Sequence, residues 1–462
     1  MPSQILPRRG GSPSANKIAG TLPAGTDLRF SLLFGHTMHL LFMKCTVCID
    51  SETAEMSRSF CRGGGFCPLC PFCPGVIAVA FVITTAVKQE IIMSVKKYNH
   101  YIPKFYLANF SGSSRFIDKC ILSTGNIIRG ASTKSTGGQD YLYGEDGKIE
   151  DIFSQLEGKW ADVIRNIISS ESIPSDPEDY EYLLHFIILS ENRTLAKANS
   201  NLEFWGEQYR VMARMLKEQG KIVIPDEVID SLGAECSIPN LQSIQHDIFL
   251  MNICADLQVS LIKNISDLPF ISSDHPVVKY NQLLISRSYA HGYGYGQMGI
   301  QIFFPISPRL CLVMFDSVPY RLHNFYDGKF IVKDPKTIQA INTLVAGYAN
   351  KELYFSRETS ARTVEKIVRR RIPDALTPST GSLRMGTGYM VMMADPSYVH
   401  KVDIPLFSVI KPFRDIPISR YSSPPLRPHA EKIRELDEAR DRRLEEDSAI
   451  NRQKRNSGAE NV

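Results

Sequence analysis

His100, Glu150, Glu157 and Asp274 have the side-chain types that could together hold a divalent cation, with Arg193 to steady an anionic group and Tyr101 to offer a phenol beside it. Hard oxygen ligands with one imidazole suit Mg²⁺ or Mn²⁺, and such a cation can polarise a phosphoryl oxygen or activate water. The chemistry would be metal-assisted hydrolysis, with phosphodiesters as the natural substrate class. Each of these residues also has a plainer explanation in its local sequence.

His100 stands in "YNHYIPKFYLANF", residues 98–110. Pro103 pushes Ile102 into an extended conformation and fits the first turn of a short helix in which Tyr106, Leu107 and Phe110 share a side. His100 then precedes a helix N-terminus, whose positive dipole end favours the neutral imidazole that a ligand or general base needs. The plainer expectation is that His100 and Tyr101 bond the backbone where this segment enters the core. Glu150 and Glu157 are seven residues apart on one helix, so their Cα atoms are about 10 Å apart. That is too far to share a proton, but they could converge on one cation or simply line a solvated edge. Glu191 and Arg193 lie on a helix expected to be buried, so each requires a partner. "SSDHPV" sets Asp274 and His275 at a strand end, aimed into a cleft or capping its own turn. Gly294, Gly296 and Gly299 satisfy a dinucleotide fingerprint but lead into a strand, not a helix, and are set aside.

The elements that must position these residues are α+β: a helical first part with a long central helix, then a small, mainly antiparallel sheet and a closing helix. Ile149, Ile152, Phe153, Leu156, Trp160, Val163, Ile164 and Ile167 recur at helical spacing. Asp176 and Pro177 open one helix running through "YLLHFIILSENRTLAKANSNLEFWGEQYRVMARML", and a third is expected from about Asn240 to Ala255. "PFISSDHPVVKY" and "GIQIFFPISPRLCLVMFD" read as strands broken by prolines. Asp334 and Pro335 start the last helix, and "KELYFS" returns as a strand.

Three segments are expected along the chain: a low-complexity leader over 1–92, a single domain over 93–374, and a Pro/Ser-rich linker with a charged tail over 375–462. In the leader, Cys45, Cys48, Cys67 and Cys70 have zinc-ribbon spacing without the strand pattern such a site needs. "GVIAVAFVITTAV" has only 13 residues against the roughly 20 of a membrane span. Cys120, Cys236, Cys254 and Cys311 read as reduced core thiols of a cytoplasmic protein. With 43% hydrophobic and 22% charged residues and a net charge of +4, composition indicates a folded body and neither a nucleic acid nor a membrane as partner, while leaving room for a local basic groove that takes nucleic acid.

The opening pattern of His100, Tyr101, Pro103, Tyr106, Leu107 and Phe110 resembles the start of the family catalogued as domain of unknown function 4238. Further landmarks are similar: Glu150 and Glu157 in the family's acidic helix, Arg193 in "NRT", the Ser-Asp-x-Pro element in "SSDHPV", and the Pro-x-Ser-Pro turn in "FFPISP". The similarity covers about residues 98–370 and implies that leader and tail lie outside the domain. It implies a residue set and no reaction. Two functions follow as expectations, a metal-assisted hydrolase first and a non-catalytic binding or regulatory module with a buried polar scaffold as the alternative.

Overall fold

In the computed structural model, described residues are 98–112, 115–143, 148–220, 222–232, 247–285, 292–371, 380–385, 388–393, 401–414, 425–440 and 442–443. The leader with its cysteines and apolar run, Cys236 and the expected start of the third helix lie outside them.

The opening segment forms β1 (Tyr98–His100) and α1 (Lys104–Ser111), followed by the hairpin β2 (Phe116–Ile121) and β3 (Asn126–Ser132), and by β4 (Gly138–Asp140). β1 pairs antiparallel with β4, and Tyr101 and Ile102 both donate to Gly137 O at 2.9 Å. Gly137 has a φ of +69°, and a Cβ there would stand 2.7 Å from Ile102 Cβ, so this close approach needs glycine. Pro103 caps α1 from one position outside the helix, and Tyr106, Leu107 and Phe110 are buried. The Tyr106 hydroxyl bonds Pro305 O and Ser272 Oγ, each at 2.6 Å, and its ring stacks on Phe304. The aromatic density of the opening is thus an anchor into the core.

The helices are α2 (Lys148–Ser170), α3 (Pro177–Asn192), α4 (Leu195–Glu218), α5 (Asp226–Ser231) and α6 (Asp247–Cys254). α2 buries the predicted stripe, including Phe153, Trp160 and Ile167. Asp176 caps α3 by accepting from Asp179 N at 3.0 Å, with Pro177 in the first turn. The single long helix of the sequence reading is two helices. Thr194 leaves helical geometry, and its hydroxyl accepts from Lys197 N, which starts α4 afresh. α3 is central as expected, with every residue from Leu183 to Asn192 buried.

Then come β5 (Gln258–Asn264), β6 (Ser272–Ser273), β7 (Val278–Tyr280), β8 (Gln301–Pro305), β9 (Leu310–Phe315), β10 (Tyr320–Leu322), β11 (Phe325–Tyr326) and β12 (Lys329–Val332). The chain continues through α7 (Pro335–Tyr348), β13 (Glu352–Phe355), α8 (Ala361–Arg370), β14 (Thr380–Met385), β15 (Gly388–Met393), β16 (Phe407–Val409) and α9 (Lys411–Arg414). The main sheet has six strands in the order β11-β12-β5-β9-β8-β7, and β12 pairs with β5 in parallel. A second sheet runs β3-β2-β13-β6. The α+β class holds and the pairings are mainly antiparallel, with β12–β5 parallel, but the main sheet has six strands and short strands precede the long helices.

Along β9, Leu310, Leu312 and Met314 enter one core with α2 and α3, whereas Cys311, Val313 and Phe315 enter a second with α7. A strand buried on both faces has no polar alternation, which is why it reads as one apolar run. Cys120, Cys254 and Cys311 are buried and free. The sequence reading leaves 375–462 outside the domain, yet two stretches of it pack on the body. β16 pairs with β10, burying Ile404, Leu406 and Phe407 in the second core. Arg427 grips Asp256 and the Ile253 and Tyr295 carbonyls, and Ala430 joins the first core. Apolar residues spaced too widely to show a period still dock when the body offers a groove.

Candidate functional site

Residues 191–194, where α3 ends and α4 begins, send side chains into two buried polar networks. A helix break frees the side chains at its two ends to point in different directions, and here Glu191 and Arg193 diverge.

Arg193 is 1% exposed. Its Nε donates to Tyr101 O at 3.0 Å, and its Nη2 donates to His100 O and to Glu157 Oε1, both at 2.7 Å. The guanidinium lies over the Phe153 ring at 4.8 Å, and the Tyr143 hydroxyl donates to Arg193 O at 3.2 Å. Among the described residues, Nη1 has no hydrogen-bond partner. Glu150 faces this group electrostatically along with Glu157. A planar fork is suited to holding two consecutive carbonyls and a carboxylate at once, and a lysine ammonium is not.

His100 turns its Nε2 to Thr133 O at 3.1 Å, so that nitrogen carries the proton and donates. The imidazole is held below its usual range, as the sequence reading expects. Burial is the main cause, and the Thr133 bond and Glu157 oppose it.

Asp274 is 1% exposed, and its two oxygens accept from Asn350 N and Lys351 N at 2.8 Å each. It caps the turn between α7 and β13, with Glu352, Tyr101, Tyr354 and Arg371 as its titratable surroundings. Burial raises this carboxyl from 3.8 to about 6, against the lowering effect of the two amides. A raised folded-state value means the folded protein holds the proton to higher pH than the unfolded chain, so stability is lost as pH rises. The stabilising contribution is therefore complete below pH 3.8 and disappears as the pH passes about 6. Urea unfolding at a series of pH values should show this decline in the wild type and its loss in Asp274→Asn. An unchanged slope in the variant would assign the decline to another group.

The second network centres on Glu191, which is 2% exposed. Lys279 Nζ lies 2.9 Å and Lys197 Nζ 3.7 Å from Glu191 Oε1, while the Tyr295 hydroxyl donates to Oε2. Lys279 also sits over the Tyr295 ring at 5.1 Å. His275 Nδ1 is 2.7 Å from Thr194 Oγ1, and its ring stacks on Tyr348, whose hydroxyl donates to Lys279 O. Burial alone would raise the Glu191 carboxyl, but Lys279, Lys197, His275 and the Tyr295 bond outweigh it and hold the group well below its usual range. Sequence reasoning demands a partner for Glu191 and misses Lys279, Lys197 and Tyr295. The available signal was a lysine inside the apolar run "VVKY".

Of the six predicted site residues, the fold brings His100, Tyr101, Glu157 and Arg193 into direct contact, with Glu150 beside them. Asp274 belongs to a separate turn and is connected to them through the field it exerts on Tyr101. Among the described residues, no group of three or more His, Cys, Asp or Glu side chains is gathered closely enough to hold a metal ion.

Residues 98–359, more than half of the chain, match the family described as Protein of unknown function (DUF4238). The chain belongs to the DUF4238 family. No curated protein and no solved structure matches it. The DUF4238 match starts at the first residue of β1 and closes just before α8, so it takes in both networks. It leaves out β16 and Arg427, although both pack on the DUF4238 body. Among the described residues, no helix is long and apolar enough to cross a membrane.

Proposed function

We propose that this DUF4238 protein is a non-catalytic binding or regulatory module, in which the polar residues of the opening motif and of α2 and α3 form a scaffold. The observation that carries this reading is the commitment of Arg193. Three of its donor contacts go to His100 O, Tyr101 O and Glu157, so it fastens the opening strand to α2 and α3. Asp274 is likewise engaged through both oxygens by backbone amides. Side chains arranged in this way fix a surface for something else to bind.

The rival is a hydrolase using Mg²⁺ or Mn²⁺ at His100, Glu150, Glu157 and Asp274. One observation favours it: among the described residues, buried Arg193 Nη1 has no hydrogen-bond partner, beside the two glutamates, where an anionic oxygen would satisfy it. Thermal and urea unfolding of the wild type, His100→Ala and Glu157→Gln, each with EDTA and with Mn²⁺, separates the two. A scaffold predicts that each variant loses about 1–3 kcal/mol, equally with and without metal. Stabilisation of the wild type by micromolar Mn²⁺, abolished in both variants, would reject the scaffold in favour of the metal site.

A further inference from the structure

Two shallow concavities lie side by side where α7 meets α8, and both are lined by Gln339 and Arg370. One, of about 410 Å³, is edged by Lys366, Arg369 and Arg370 over a floor of Leu268 and Ile367. The other, of about 420 Å³, adds Lys336 of α7 and Lys401 and Asp403 of the stretch leading to β16. The joined groove thus presents five cations and one carboxylate among the described residues. That carboxylate, Asp403, already accepts from Gln282 Nε2 at 2.9 Å.

Such a collection of like charges is unfavourable without a counter-charge. Lys366, Arg369 and Arg370 stand at i, i+3 and i+4 on one helix, where like charges repel. Glu365 is four residues before Arg369, a spacing that permits a salt bridge, yet none forms. Lys336, Lys366, Arg369 and Arg370 make no ion pair with any described residue, whereas Arg309, Arg214 and Lys217 elsewhere on the surface do. The dipole of α8 rationalises Arg369 and Arg370 in its last turn. It does not rationalise Lys336 in the first turn of α7, at the positive end of that helix, where the acidic group is the capping Asp334, whose carboxylate accepts from Lys336 N at 3.0 Å.

We infer that this groove binds the sugar–phosphate backbone of a nucleic acid. Cations gathered on two adjoining concavities complement the negative charges of a phosphate backbone. None of the exposed large apolar side chains lines the groove, as insertion into a lipid surface would need. Among the described residues no aromatic ring lines it either, and its cations are suited to contacting phosphates. The near-neutral total charge conceals this local excess. The groove shares no residue with the Arg193 or Glu191 networks, so the inference goes beyond the scaffold reading and fails or survives separately from it.

The test is fluorescence anisotropy with the full chain and labelled single-stranded RNA, single-stranded DNA and duplex DNA of roughly 20 nucleotides, between about 50 and about 200 mM salt. The wild type should bind at least one of them, with log K falling linearly against log salt by about 0.7 per phosphate contacted on a single strand and about 0.9 on a duplex. The triple variant Lys366→Glu, Arg369→Glu, Arg370→Glu should bind at least about tenfold more weakly with a flatter salt slope, and melt within about 5 °C of the wild type, because these side chains are exposed and the charge reversal at the end of α8 costs little. Should the triple variant not fold, Lys336→Glu on the facing helix should weaken binding in the same direction. Absence of binding at the lowest salt, equal binding by the charge-reversal variants, or binding of phosphatidylserine vesicles in place of every oligonucleotide would overturn the proposal.

Discussion

Arg193→Ala should lower the unfolding free energy by about 3–5 kcal/mol, measured as a shift in the urea midpoint at constant slope. Removing the guanidinium leaves the His100 and Tyr101 carbonyls and the Glu157 carboxylate without a shared donor, and it opens a cavity against Phe153. Arg193→Lys keeps the charge but offers a point donor in place of a fork, so it should recover less than half of the loss. The damage should be local first. Hydrogen exchange at residues 98–102 should accelerate before that of the main sheet, because Arg193 holds the His100 and Tyr101 carbonyls at the end of β1. A loss under about 1 kcal/mol would show that the β4 pairing and the Tyr106 anchor hold the opening strand without Arg193.

The division between what the sequence disclosed and what it hid follows how the chain achieves burial. α2 was legible because one face is wet, so the period of Phe153, Trp160 and Ile167 stands out against polar residues. α3 was legible as central because it is apolar nearly all round. The break at Thr194 was hidden, since threonine before a run of good helix formers serves equally as an interior residue and as a cap. The β2–β3 hairpin was hidden by Asp118, Lys119 and Arg129, whose charges look solvated but are paired: Arg129 with Asp118 at 2.8 Å and Lys119 with Glu352 at 2.6 Å. The parallel pairing of β12 with β5 joins residues far apart in the chain, and no local period encodes it. Within the candidate site, Arg193 and Glu191 were recognisable as buried charges in need of partners. Which partners they take depends on segments that arrive from distant parts of the chain, as Lys279 on β7 and Tyr295 in the turn ahead of β8 do.

Glu191→Ala should be of similar size, about 3–5 kcal/mol, for a different reason. It removes the carboxylate that both Lys279 and Lys197 face inside the protein. The informative measurement is a double-mutant cycle with Lys279→Met. A buried ion pair can be replaced as a unit by apolar side chains at little cost, whereas removing one member exposes the desolvation penalty of the other. The double variant should therefore lose clearly less than the sum of the two single losses. The pH dependence adds a second readout whose sign is opposite to that of Asp274. The Glu191 carboxyl is held below its ordinary 4.5, so its contribution is present above that value and is lost as pH falls through the folded-state value. Glu191→Gln should flatten the acid limb of the stability profile and leave the decline toward neutral pH, which belongs to Asp274. Additive losses in the cycle, together with an unaltered acid limb, would mean that Lys279 and Glu191 are not coupled and that the second network is a set of neighbours without a shared charge.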